Sequence, residues 1–183
     1  FPEPALRASI GSYGDRLHEL ARGIDPTPVT PASAAKSISS ECTLEEDTCA
    51  TATLTRCLLQ QAEEVAAGLR QEGVKARTVV LKIKHADFRL FTRRTTFAPP
   101  TQSSKELYRQ AVRLLENARV TQKVRLIGLG ATGFVPADAP RQQELFAVAE
   151  RSRAGWEAVD RTVATIKTKF GDRVIRRATL KED

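Results

Sequence analysis

Between Lys75 and Phe97 stand seven cations, Lys75, Arg77, Lys82, Lys84, Arg89, Arg93 and Arg94, against a single acid, Asp87, for a net charge of +6. That is nearly the whole net charge of +7 carried by a 183-residue chain with 29 Lys+Arg, 22 Asp+Glu and a pI near 9.7. Lys and Arg neutralise phosphates and release their counterions, so a basic cluster of this kind suits a nucleic-acid backbone. A surface charged only for solubility mixes its signs. Aromatic residues decide how the bases would be read. Phe88 and Phe97 read as core and only Phe91 as exposed, which favours gripping the backbone over reading bases.

Other chemistries find little in the sequence. Cys42, Cys49 and Cys57 are odd in number, and their gaps match no zinc pattern. Cys57 reads as a small core residue, and the cysteine usage fits a reducing, cytoplasmic setting. His18 and His85 belong to no Cys/His or Ser/His/Asp constellation. Glu45-Glu46-Asp47 reads as an exposed loop beside a helix start, not as a paired carboxylate site for two metal ions. Gly128 and Gly130 fall in or after a strand, so they form no phosphate loop. An acylphosphatase-like enzyme would need Arg and Asn in one phosphate-cradling loop, yet the sole Asn, Asn117, falls on a helix. The chain therefore reads as a non-enzyme with no catalytic residues, no metal ligands and no cofactor of its own. No apolar run approaches the roughly 20 residues of a membrane span. The sequence opens on Phe1 and contains no Met, so Phe1 reads as a boundary within a longer chain or as a cleavage product.

The elements that must position these residues follow from periodicity. Leu6, Ile10, Leu17, Leu20 and Ala21 give a helix over 5–24 with a weak point at Gly11 and Gly14. Three prolines in Asp25–Pro31 make an extended boundary segment. A strand is expected over 36–44, and a helix over 51–72 with Leu54, Leu58, Val65 and Leu69 inward. Residues 75–84 alternate, with Val79, Leu81 and Ile83 on one face and Thr78, Lys82 and Lys84 on the other. A turn at His85–Asp87 leads to a strand over Phe88–Phe97, stopped by Pro99-Pro100. Ser103 and Glu106 form a capping-box pattern before a helix carrying Leu107, Ala111, Leu114, Leu115 and Ala118. Lys123–Gly130 makes a last strand. The order β-α-β-β-α-β over 36–134 is an α+β, ferredoxin-like split βαβ: a four-stranded antiparallel sheet with both helices on one face. Its other face is left for binding. A final helix over 154–170 carries a stripe of Trp156, Val159, Val163, Ile166 and Phe170, expected to dock on the back of this domain.

Four segments, in order, resemble one known family. KSISSE at Lys36–Glu41, LKIKHADFRLFTRRTTF at Leu81–Phe97 and VRLIGLG at Val124–Gly130 resemble the little finger domain of Y-family translesion DNA polymerases of the DNA polymerase IV type. YGDRLHELARGID at Tyr13–Asp25 resembles the end of their thumb. The resemblance covers nearly the whole chain. It implies a thumb-end helix at 1–26, a Pro-rich linker at 27–35, a little finger at 36–134, a second linker at 135–150 and a C-terminal helix and tail at 151–183, flanking helices included. It also implies sequence-nonspecific DNA binding, with the little finger in the major groove against template and primer backbones. That role would fall on Lys36, Ser37, Ser39, Lys82, Lys84, Thr92, Arg93 and Arg125. The family usually has Gly where Ser39 stands and an aromatic where Leu44 stands; the Ser39 hydroxyl can still reach a phosphate.

Gln142-Gln143-Glu144-Leu145-Phe146 resembles the Q-x-x-L-F peptide that bacterial sliding clamps bind. Gln142 would hydrogen-bond at a pocket edge, and Leu145 and Phe146 would fill an apolar cleft. The implied partners are double-stranded primer-template DNA and the sliding clamp. The protein is expected to be monomeric, away from membranes, in the bacterial cytoplasm at the nucleoid. Mg is expected in a catalytic palm domain that this stretch lacks. An alternative is the recruitment module of a catalytically inactive Y-family relative, acting through protein contacts.

Overall fold

The alternation of Val79, Leu81 and Ile83 builds the centre of the molecule. All three are fully buried, on a strand (β2, Val74–His85) with strand neighbours on both sides. The computed structural model describes residues 3–31, 34–140, 150–171 and 174–180. The chain divides into two compact units, 1–34 and 35–183.

In the first unit, the expected single helix is two, α1 (Glu3–Ile10) and α2 (Tyr13–Ala21). Gly11 breaks it at φ 69, a conformation glycine adopts without penalty. Gly14 is where the two helices touch: a Cβ there would lie 2.6 Å from the Leu6 carbonyl group. After α2, Arg16 bonds the Asp25 carboxylate, and Asp25 also accepts the Thr27 backbone N–H at 2.9 Å. Thr27 and Arg16 together hold the Asp25 carboxyl at about 2, below its ordinary 3.8.

The second unit is α+β. Its strands β1 (Ser37–Thr48), β2, β3 (Leu90–Thr101) and β4 (Val124–Pro136) form one antiparallel sheet in the order β1-β4-β2-β3. β1 and β2 run the same way with β4 between them, and β3 and β4 run the same way with β2 between them. Each pair is a split βαβ unit, spanned by α3 (Thr51–Gln71) and α4 (Ser104–Ala118) respectively. Leu54, Leu58, Val65 and Leu69 of α3 and Leu107, Ala111 and Leu115 of α4 pack with Leu81, Ile83, Ile127 and Leu129 in one core. Removing a side chain such as Leu81 from a core this tightly closed costs about 2–5 kcal/mol.

Several strand ends differ from expectation. β1 runs on to Thr48, so Glu45-Glu46-Asp47 belongs to a strand rather than a loop. β3 begins at Leu90 and continues through Pro99-Pro100 to Thr101; as an edge strand it has a side on which no ladder bond is needed. β4 continues to Pro136.

The capping box at Ser103 does not form. The Ser103 hydroxyl makes no cap bond, and Glu106 accepts from Arg109 at 2.7 Å and Gln110 at 3.0 Å. The orphan donor at the start of α4 is satisfied from elsewhere. Asp160 on α5 (Glu150–Phe170) accepts the Ser104 backbone N–H at 2.9 Å and the Ser104 hydroxyl at 2.7 Å. Arg177 adds bonds to Ser104 Oγ at 2.9 Å and to Glu63 on α3 at 2.6 Å. α5 therefore docks on the helix layer, rotated from the expected stripe. Trp156, Val163 and Ile166 of that stripe are half-buried and Asp160 is buried, whereas Val159 and Phe170 are exposed. The buried carboxylate at the α4 N-terminus sets that rotation, since an unmet buried N–H would cost about 1–3 kcal/mol.

Candidate nucleic-acid interface

Directly opposed residues of an antiparallel pair share a sheet face, so register assigns the side chains between the irregularities of the ladder. On the face away from α3 and α4 the strands form rows. Ser37, Thr132, Thr78 and Thr96 make one row, and Ser39, Gly130, Val80 and Arg94 the next. Glu41, Gly128, Lys82 and Thr92 follow, then Thr43, Leu126, Lys84 and Leu90. Hydroxyls dominate one end and cations the other. Gly130 on β4 keeps the surface low beside Ser39 and Val80, whereas the space above Gly128 is taken by the Glu41 side chain.

Six of the eight sequence-derived candidates stand on this face. Ser37, Ser39 and Thr92 are exposed, and Lys82 and Lys84 are half-buried between neighbours. Arg125 joins them at the charged end. The Lys84 ammonium and the Arg125 guanidinium lie 4.8 and 5.1 Å from the centre of the same ring, that of Phe88. Lys36 is exposed immediately before β1.

Arg93 stands apart. It opposes Leu81 and so lies on the helix-layer side, projecting at the sheet edge with its guanidinium 3.8 Å from the Phe91 ring centre. Phe91 packs against the core, which fixes the odd-numbered residues of β3 on that side. The open-face cation of this pair is Arg94, opposite Val80. Starting the strand at Leu90 rather than Phe88, with Phe91 inward, is the signal that would have identified it. Phe97 is buried as expected, but the other two aromatics exchange places: Phe88 is 60% exposed and Phe91 partly buried.

Two acids also escaped the sequence reading. Glu41 crosses above Gly128 to reach Lys82, its oxygens 2.8 and 2.9 Å from Nζ. Asp47 lies 3.8 Å from Arg125. Lys75 is buried and faces Glu157 of α5 at 3.8 Å, so the basic cluster of the hairpin is divided between two sides of the sheet.

Gln142, Leu145 and Phe146 lie outside the described residues. Among the described residues no group of three or more His, Cys, Asp or Glu could hold a metal ion, and no helix is long and apolar enough to cross a membrane. Burial, with Cys42 nearby, pushes the Cys57 thiol up, so it stays protonated at neutral pH.

A family model described as the impB/mucB/samB family C-terminal domain matches residues 35–145. Among curated relatives, a DNA polymerase IV from Caulobacter vibrioides is 40% identical over 166 residues, which cover 91% of this chain and 40% of the relative. DNA polymerase IV 1 from Mesorhizobium japonicum is 34% identical over 93% of this chain and 38% of its own length. A DNA polymerase IV from Moorella thermoacetica is 36% identical over 97% and 44% respectively. The chain thus spans about two fifths of the length of the curated relatives it matches.

Proposed function

The chain belongs to the impB/mucB/samB family of Y-family polymerases, carrying its C-terminal domain at residues 35–145, and from that premise we propose that this domain grips primer-template DNA during translesion synthesis. The observation that carries this is the helix-free sheet face. Ser37, Ser39, Thr92, Lys82, Lys84, Arg94 and Arg125 stand on it together, around the low surface of Gly130. Hydroxyls and cations on a sheet suit phosphate oxygens, and contacts to phosphates carry no base code. The grip is therefore independent of sequence. The parent polymerase would supply catalytic carboxylates and Mg from a separate palm; this domain would supply hold on the template-primer duplex.

If roughly 4–6 phosphates are neutralised, log K for a duplex should fall with log[salt] at a slope of about −4 to −5. Two duplexes of unrelated sequence should bind alike. Absence of duplex binding at low salt would remove the proposal.

The same reading assigns Gln142, Leu145 and Phe146 to the sliding clamp. Support comes from the Q-x-x-L-F pattern lying between the little finger and α5. Leu145→Ala with Phe146→Ala should abolish clamp binding and leave duplex affinity nearly unchanged. Undiminished clamp affinity in the double variant would cancel this assignment.

A further inference from the structure

The connection between β2 and β3 holds Phe88 in an unusual state. Its φ is 67, a region that bulky side chains rarely occupy, and 60% of its surface is exposed. The turn is not loose. Phe88 N–H donates to His85 O at 2.9 Å, His85 N–H to Arg89 O at 3.0 Å, and Arg89 N–H to Asp87 Oδ1 at 3.0 Å. Ala86 N–H donates to Lys123 O at 2.9 Å, tying the turn to the lead-in of β4. A strained aromatic held outward by a bonded turn is a feature to be explained by function.

Its surroundings identify the ligand chemistry. Lys84 and Arg125 approach the ring at 4.8 and 5.1 Å, and exposed Arg89 follows it in sequence; Asp87 lies 3.4 Å from Arg89 and Asp47 3.8 Å from Arg125, so an arriving phosphate competes with both carboxylates. An aromatic surface among cations matches a nucleobase flanked by its own phosphates. Base pairs inside a duplex are stacked on both faces and cannot offer one to this ring. We propose that Phe88 is a stacking platform for an unpaired nucleobase, at the point where single-stranded DNA continues from the duplex held on the open face. Lys84, Arg89 and Arg125 then meet the phosphates on either side of that base. This inference rests on the DNA-gripping reading above and adds a single-strand subsite to it.

The test uses the full chain and two probes: a blunt duplex, and the same duplex with a short 5′ overhang containing 2-aminopurine. Binding of the wild type should quench the 2-aminopurine by stacking. Phe88→Ala should remove the quenching and weaken overhang binding by roughly tenfold or more. Its affinity for the blunt duplex, and the salt slope, should not change. Phe88→Trp should retain stacking. Phe88→Leu, which keeps apolar bulk without a π-face, should behave like Phe88→Ala. Circular dichroism of each variant confirms the fold. Equal behaviour of Leu and Phe would mark an apolar protein contact and overturn the platform, as would overhang binding indifferent to Phe88→Ala. Failure of the wild type to bind the blunt duplex would instead sink the gripping reading itself.

Discussion

Lys82 occupies the middle of the open face, but it is held by Glu41, which leans over Gly128 to reach it. A phosphate arriving there must compete with that carboxylate. Half-exposed pairs of this kind are worth about 0.2–1 kcal/mol. Glu41→Gln should therefore raise duplex affinity at low salt by about two- to fivefold, measured by fluorescence anisotropy. A fall in affinity would mean that Glu41 positions Lys82 rather than restrains it. The Asp25 carboxyl offers a second check at this scale. Its folded value of about 2 lies below the ordinary 3.8. The Arg16–Asp25–Thr27 contact thus stabilises above the unfolded value and is lost as pH falls through about 2. Titrating the Asp25 carboxyl carbon by NMR should give a midpoint well under 3.8; a midpoint at the ordinary value would contradict the contact.

Among the elements, α5 shows where sequence periodicity stops being informative. Its end near Gly171 is legible, though it begins at Glu150 and not at 154, and a stripe at helical spacing suggests an apolar docking face. The structure turns the helix so that Asp160 reaches the first turn of α4, a partner 56 residues away in sequence. No local pattern encodes that cap, and Ser103 with Glu106 supplied a plausible local substitute. The central hairpin divides in the same way. Val79, Leu81 and Ile83 on β2 are legible because strict alternation admits one assignment. β3 is not, because Phe88, Phe91 and Phe97 cannot all be core with one register, and only the turn geometry shows which leaves. Arg93 and Arg94 exchange faces on that decision. For α5 the expected outcome of Asp160→Ala is a loss of about 1–3 kcal/mol, with the emission of the sole tryptophan, Trp156, shifting to the red as its contact with Lys105 at 3.8 Å opens. Unchanged melting temperature and emission would show that α5 docks without its carboxylate.

At the scale of the whole molecule, the two sides of the sheet divide the work. One side closes the core under α3 and α4, and its rigidity fixes the spacing of the rows on the other. That other side holds hydroxyls at one end, Gly130 and the Glu41–Lys82 pair in the middle, and cations at the end where Phe88 projects. The charge count alone overstated the binding surface: Lys75 is paired with Glu157, Arg93 faces away, and Glu41 offsets Lys82, as Asp47 offsets Arg125 outside the hairpin. The net field is nevertheless positive, as the chain total of +7 requires, and a field of that sign steers an anionic polymer toward the protein. The most direct test is the salt dependence of duplex binding by the wild type and by Lys84→Ala with Arg125→Ala. The gripping account predicts a wild-type slope of about −4 to −5, made shallower by about 2 in the double variant, with affinity lost alike for all sequences. Identical slopes for the two proteins would contradict it.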